Sequence, residues 1–193
     1  MLFLIIGLIL FLGLHSLRIF DEPVRARLLE RLGEGGFKVI YSLASIIGFA
    51  LIWYGYGQAR QAPSMVWNPP VAMRHIATLL TLVSFIILAA AYVPRNRIKR
   101  AIGHPMVIAV KVWAFAHLLA NGMVADIVLF GSFLIWAVLS FRAARGRDRA
   151  AGFVRPPEVS IVSDIGTFVI GLIAWAAFAI WLHGLLIGVK PFG

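Results

Sequence analysis

Pro105-Met106-Val107-Ile108-Ala109-Val110-Lys111-Val112-Trp113-Ala114-Phe115-Ala116-His117-Leu118-Leu119-Ala120 is the stretch on which the fold turns. As a helix rising 1.5 Å per residue it reaches about 24 Å, short of the ~30 Å of a bilayer's hydrocarbon core. It also carries Lys111 and His117 inside an otherwise apolar run. Five other segments are plainer: residues 1–20, 37–56, 73–93, 124–141 and 161–189 are each apolar over a spanning length. The question is whether 105–120 crosses with them.

Charge answers it. With six crossings, residues 21–36, 94–104 and 142–160 lie on one face. They carry Arg25, Arg27 and Arg31, then Arg95, Arg97, Lys99 and Arg100, then Arg142, Arg145, Arg147, Arg149 and Arg155. The opposite face, with both termini, keeps only Arg60, Arg74 and Lys190. Basic residues are retained in short cytoplasmic loops, so the first face is expected to be cytoplasmic and both termini outside. Removing the 105–120 helix would send Arg142–Arg155 outside and spoil the division. The expectation is an all-α, polytopic membrane bundle of about six helices forming a single transmembrane domain over residues 1–193, with the lipid bilayer as its first partner.

Composition agrees. The 193 residues are 61% hydrophobic and 13% charged, with 14 Phe and 6 Trp, against about 45–50% and 25% in soluble domains. A net charge of +10 in a soluble chain would suggest nucleic acid, but here most of it is orientation, and the basic loops lack the interleaved aromatics of a nucleic-acid platform. The absence of cysteine removes disulfides, thiolate metal sites and a cysteine nucleophile. No basic region precedes the first apolar run and no small-residue cleavage pattern precedes Asp21, so that run is expected to be retained as a helix. Asp21-Glu22-Pro23 reads as a helix start, and Leu28, Leu29 and Leu32 alternating with Arg25, Arg27 and Arg31 predict a short amphipathic helix on the inner leaflet, ending at Gly33, Gly35 and Gly36. Residues 57–72, with Pro63, Pro69 and Pro70, predict an ordered outer loop. Trp53, Tyr54, Tyr56, Trp67 and Trp181 are expected at the outer interface.

Polar side chains at membrane depth are costly and therefore informative. Arg18, Lys38 and Asp164 are close enough to the cytoplasmic boundary to snorkel. Lys111, near the middle of its helix, must find a partner, lose its proton or snorkel a long way. His117 and Asn121, four apart, share a helix face, and a tight connection at Gly122 brings Asp126 to similar depth, which would allow a carboxylate or amide behind the imidazole. A histidine simply satisfied within the core fits the same spacing. With five histidines, no cysteine and few carboxylates, imidazole is the strong ligand available for iron, which favours haem b over zinc. No Ser-His-Asp arrangement and no glycine-rich phosphate loop is evident.

Gly13-Leu14-His15-Ser16-Leu17-Arg18, Gly103-His104-Pro105-Met106 and Trp113-Ala114-Phe115-Ala116-His117-Leu118-Leu119-Ala120-Asn121-Gly122 together resemble the NnrU family of bacterial membrane proteins over nearly the whole chain. The resemblance implies an inner-membrane protein associated with denitrification, through nitrite and nitric oxide reductase expression, with respiratory or denitrification proteins as partners. The family is distantly similar to the plant 15-cis-zeta-carotene isomerase, an integral membrane haem b enzyme. Its two haem-associated histidines would fall on His15 and His117, which the likeness therefore implies as axial ligands, with His104 the less favoured candidate. Ala114 stands where that enzyme has a cysteine, and Met123 where many relatives have an acidic residue. By depth alone, His15 and His117 differ by about 10 Å or more, whereas His104 lies nearer His15, and His75, His117 and His183 group toward the outer side.

The haem reading gives a redox, sensing or isomerase-like protein. In a competing reading the chain is a haem-free assembly or transport factor whose Lys111, His117, Asn121 and Asp126 form a polar packing network or substrate path. A third, a membrane methyltransferase of the isoprenylcysteine type, rests on His104-Pro105 before a helix and lacks the acidic motifs such enzymes carry near the C-terminus.

Overall fold

Asp21 and Gly33 shape the N-terminal third. In the computed structural model, which describes residues 1–153 and 158–192, α1 (Leu2–Phe20) stops at Asp21, whose carboxylate accepts the Val24 N–H at 3.0 Å and so starts α2 (Glu22–Ala59) with Pro23 in its first turn. Gly33, at φ 67° and ψ 166°, breaks α2, a backbone conformation in which a Cβ is strained. Residues 22–32 are the expected amphipathic helix, and the remainder of α2 is the second apolar span. Gly35 and Gly36, read from sequence as part of the stop, lie inside the helix. A Cβ on Gly7 would meet the Ile52 amide, and one on Gly55 the Leu4 amide. Such small residues let antiparallel α1 and α2 approach closely, as helices in lipid require.

Next come α3 (Val71–Tyr92), short α4 (Arg97–Ile102), α5 (Pro105–Ala120), α6 (Val124–Ala150) and α7 (Ile161–Ala177), then a π-helical turn (Phe178–Leu182) that leads into α8 (His183–Ile187). Five helical stretches are long and apolar enough to cross a membrane, and α5 is a shorter apolar helix. The molecule is all-helical in its regular structure, apart from one isolated bridge between Met65 and Met123. Apolar side chains such as Ile46, Val162 and Leu185 point outward at 65%, 74% and 80% exposure, the arrangement expected when lipid is the solvent.

The basic segment 142–160, expected as a loop, is helical as far as Ala150, because its Ala and Arg residues favour helix strongly enough to carry Gly146 within it, and the chain leaves the helix only before Gly152 at φ 61°. Arg155 lies outside the described residues. The other basic segment holds α4, capped by Asn96, which is 1% exposed and fully used: its amide donates to the Ala90 and Val93 carbonyls while its oxygen accepts the Lys99 N–H.

Neighbouring helices run in the order α2, α1, α6, α5, α3, α7, an arc with α2 and α7 at its ends. A tightly packed cluster of Leu4, Leu8, Ile52, Ala114, Ala125, Leu129 and Phe130 joins α1, α2, α5 and α6. Across the mouth of the arc, Trp53 donates to the Leu186 carbonyl at 2.8 Å and Arg60 to that of Ile187 at 3.0 Å, tying α2 to α8. The short α5 is completed by the loop before α3. The Gly122 carbonyl accepts Val66 N–H at 2.8 Å, and Val124 N–H reaches the Ser64 carbonyl at 2.9 Å. Irregular backbone at this depth is thus paired, as it must be away from water. A Cβ at position 122 would overlap the Trp67 carbonyl, so only glycine admits the loop.

Candidate functional site

Inside the arc is a cavity of about 570 Å³, walled by α2, α3, α5, α6, the π turn with α8, and the tail 189–192. Its volume falls within the range that holds cofactors and drug-sized molecules. It belongs to the half of the bundle that carries the chain termini. Phe85, Trp113, Phe130, Phe133, Trp175 and Phe178 are among its aromatic lining, and His117, Asn121, His183, Arg60, Arg74 and Lys190 are among its polar groups.

His117 comes from the last turn of α5. Its Nδ1–H donates to the Trp113 carbonyl at 2.9 Å, and its ring lies 4.5 Å from that of Phe130 and 5.0 Å from that of Trp113. Because the acceptor is a carbonyl, Nδ1 carries the proton and Nε2 keeps its lone pair. His183, at the end of the π turn, repeats the pattern, its Nδ1–H donating to the Val189 carbonyl at 2.7 Å. Neither Nε2 has a hydrogen-bond partner among the described residues. The two imidazoles line the same cavity. A π turn displaces the residues after it relative to an unbroken α-helix, and such turns recur at functional sites; here it delivers His183 to the wall.

His15 is elsewhere. Its Nδ1–H donates to the Phe11 carbonyl at 2.7 Å, and its ring packs 4.3 Å from Phe11, 5.3 Å from Tyr41 and 6.2 Å from Trp136, none of which lines the cavity. Phe11, Phe133 and Trp113 stand in series between His15 and His117, with successive ring centroids at 5.9 and 5.6 Å. On α6, Phe130 touches His117 and Trp136 touches His15; six residues of helix separate those contacts by about 9 Å along the axis. The arrangement thus keeps the depth difference read from sequence, and the histidine that lines the cavity with His117 is His183.

The remaining candidates occupy three places. His104 pairs with Asp148 at 2.9 Å and faces Phe141 at the basic end of the bundle. Lys111 sets its ammonium 5.2 Å from the same Phe141 ring, directed toward that end and away from the cavity. Asp126 is wholly buried; one oxygen accepts the Tyr56 hydroxyl at 2.7 Å and the other the Met123 N–H at 2.9 Å. It caps α6 and anchors Tyr56 rather than backing the imidazole. Asn121 donates to the main-chain carbonyl of His117 at 2.8 Å, which closes the end of α5. The acceptor behind the His117 ring is therefore a backbone carbonyl four residues earlier, available to any helical histidine and invisible as a motif. Trp53 and Tyr56, expected as interface aromatics, line the cavity; their helical spacing of three already put them on one face. Among the described residues, no group of three or more His, Asp or Glu side chains could hold a bare metal ion.

One family model matches, that described as NnrU protein, over residues 3–191. No curated protein and no solved structure matches the chain.

Proposed function

Because the chain belongs to the NnrU family, we propose that it is a haem-b-binding protein of the bacterial inner membrane, acting in support of nitrite and nitric oxide reduction, with His117 as the principal iron ligand. The observation that carries this is the pair His117 and His183, facing one cavity with each Nδ1–H committed to a carbonyl and each Nε2 free. An acceptor on the far ring nitrogen, which fixes the tautomer and orients the ring, is the usual support of an iron-bound imidazole. The residues present suit the group: flat aromatic walls for a macrocycle, two candidate imidazoles, and cations at one end of the cavity for its carboxylates.

Bound there, haem would supply a one-electron redox centre. The chain's own residues do the rest. Trp113 holds the His117 ring through its carbonyl and its indole face, Phe130 and Phe133 exclude water from one side, and the Trp53 and Arg60 links to α8 hold His183 and the tail against α2. His15, behind the aromatic series, supports the packing of α1 on α2 and α6.

Haem titrated into purified, haem-free protein tests the ligand assignment. Six-coordinate, low-spin iron is expected in wild type and in His15→Ala, and five-coordinate iron that binds carbon monoxide readily in His183→Ala. Low-spin iron that persists in His183→Ala but vanishes in His15→Ala would refute the pairing.

A further inference from the structure

Arg60, Arg74 and Lys190 are the basic residues that the charge division leaves at the terminal end of the bundle, and all three line the cavity. They come from separate elements, the end of α2, the first turn of α3 and the C-terminal tail, so no single amphipathic pattern accounts for them. No aspartate or glutamate lines the cavity with them. Asp126, which holds Tyr56 beside the cavity, is already shared between that hydroxyl and the Met123 amide. Neither Arg74 nor Lys190 has an ion-pair partner among the described residues. Arg60 is held in place, one N–H on the Ile187 carbonyl and its guanidinium 5.7 Å from the Tyr56 ring, with most of its five donors left over. Arg74 and Lys190 are exposed and Arg60 is half-buried, and three like charges lining one largely apolar cavity with no counter-charge in its wall favour an anion there.

We propose that Arg60, Arg74 and Lys190 form an anion clamp at the mouth of the cavity, seating the carboxylate or phosphate end of an amphiphile whose apolar body lies against Phe85, Trp175 and Phe178. The site shares the cavity with the haem proposed above, but the clamp does not depend on iron. The shared chemistry is an anionic head on a water-insoluble body, and it can come from porphyrin propionates or from a membrane lipid.

Delipidated, haem-free protein in a neutral detergent is titrated with a fluorescent long-chain fatty acid and with its methyl ester. Wild type is expected to prefer the acid by at least about tenfold, the scale of one charge-assisted hydrogen bond. In Arg60→Gln/Arg74→Gln/Lys190→Gln the preference disappears while the ester binds as before, which also shows that the cavity is intact. Because Arg60 braces α8, the double variant Arg74→Gln/Lys190→Gln provides a second reading, with the preference reduced and the brace retained. Equal affinity for acid and ester in wild type, binding of neither, or a preference that survives the triple variant would each overturn the clamp. The source is separated by repeating the comparison with protoporphyrin IX against its dimethyl ester and with lysophosphatidic acid against monoacylglycerol. Discrimination in the first pair assigns propionates, in the second a lipid headgroup, and either supports the clamp. His117→Ala is expected to keep the acid preference, so failure of the haem reading and failure of the clamp remain distinguishable.

Discussion

Asp126 shows how a single buried carboxylate can organise one end of a helix bundle. It satisfies the N-cap amide of Met123 and the Tyr56 hydroxyl at once, linking α6 to α2 beside the cavity. Asp126→Ala leaves both donors without an acceptor and is expected to destabilise the protein by about 3 kcal/mol, against about 1 kcal/mol for Tyr56→Phe, which removes only one bond. Thermal unfolding in detergent checks both; equal effects would mean that the amide contact carries little. Gly122 is the second residue of this kind. Gly122→Ala drives a methyl group into the Trp67 carbonyl and should displace the 64–67 loop, costing about 2 kcal/mol or more. Protease accessibility of that loop, unchanged in the variant, would contradict the claim. From sequence, Asp126 could be placed at the right depth, but its partners depended on how α2 packs, which spacing within α5 and α6 does not encode.

At the scale of elements, periodicity and length told most. The six apolar stretches, the break near Gly33 and the outer loop all followed from residues that set backbone conformation or need lipid around them. What escaped was continuation and register. α6 runs on through 142–150 because the helix propensity of its Ala and Arg residues outweighs the single Gly146, although charge alone reads as loop. The π turn at Phe178–Leu182 has no sequence signature, and without it the orientation of His183 cannot be anticipated. The break at Gly33 gives a test at this scale. Gly33→Ala should cost about 1–3 kcal/mol if the bend is kept, or straighten α2 if it is not. Spin labels at positions 27 and 45 would show a longer separation in the second case, and an unchanged distance with unchanged stability would rule the break out as a constraint.

For the whole molecule, the charge division and the arc of helices describe the same object. One end collects the arginines, and its pieces are cross-linked: Arg97 pairs with Asp164, and Arg147 donates to the Arg18 carbonyl. The other end opens into the cavity. If the basic end is cytoplasmic, as the positive-inside rule predicts, single cysteines are free of background in this cysteine-less chain. Ser64→Cys should react with an impermeant maleimide in intact cells and Arg145→Cys only after permeabilisation; the reverse pattern would invert the topology. The cavity itself was only half legible. Depth arithmetic grouped His117 with both His75 and His183, of which only His183 lines the cavity with it, whereas the three cations looked like residue from topology until the tertiary arrangement gathered them around one space.

The absorption spectrum of the protein purified from haem-replete cells bears most directly on the central claim. A Soret band in wild type that is lost in a folded His117→Ala variant and kept in His15→Ala is the expected result. A folded wild-type protein with no Soret band, or a band indifferent to His117→Ala, would contradict it.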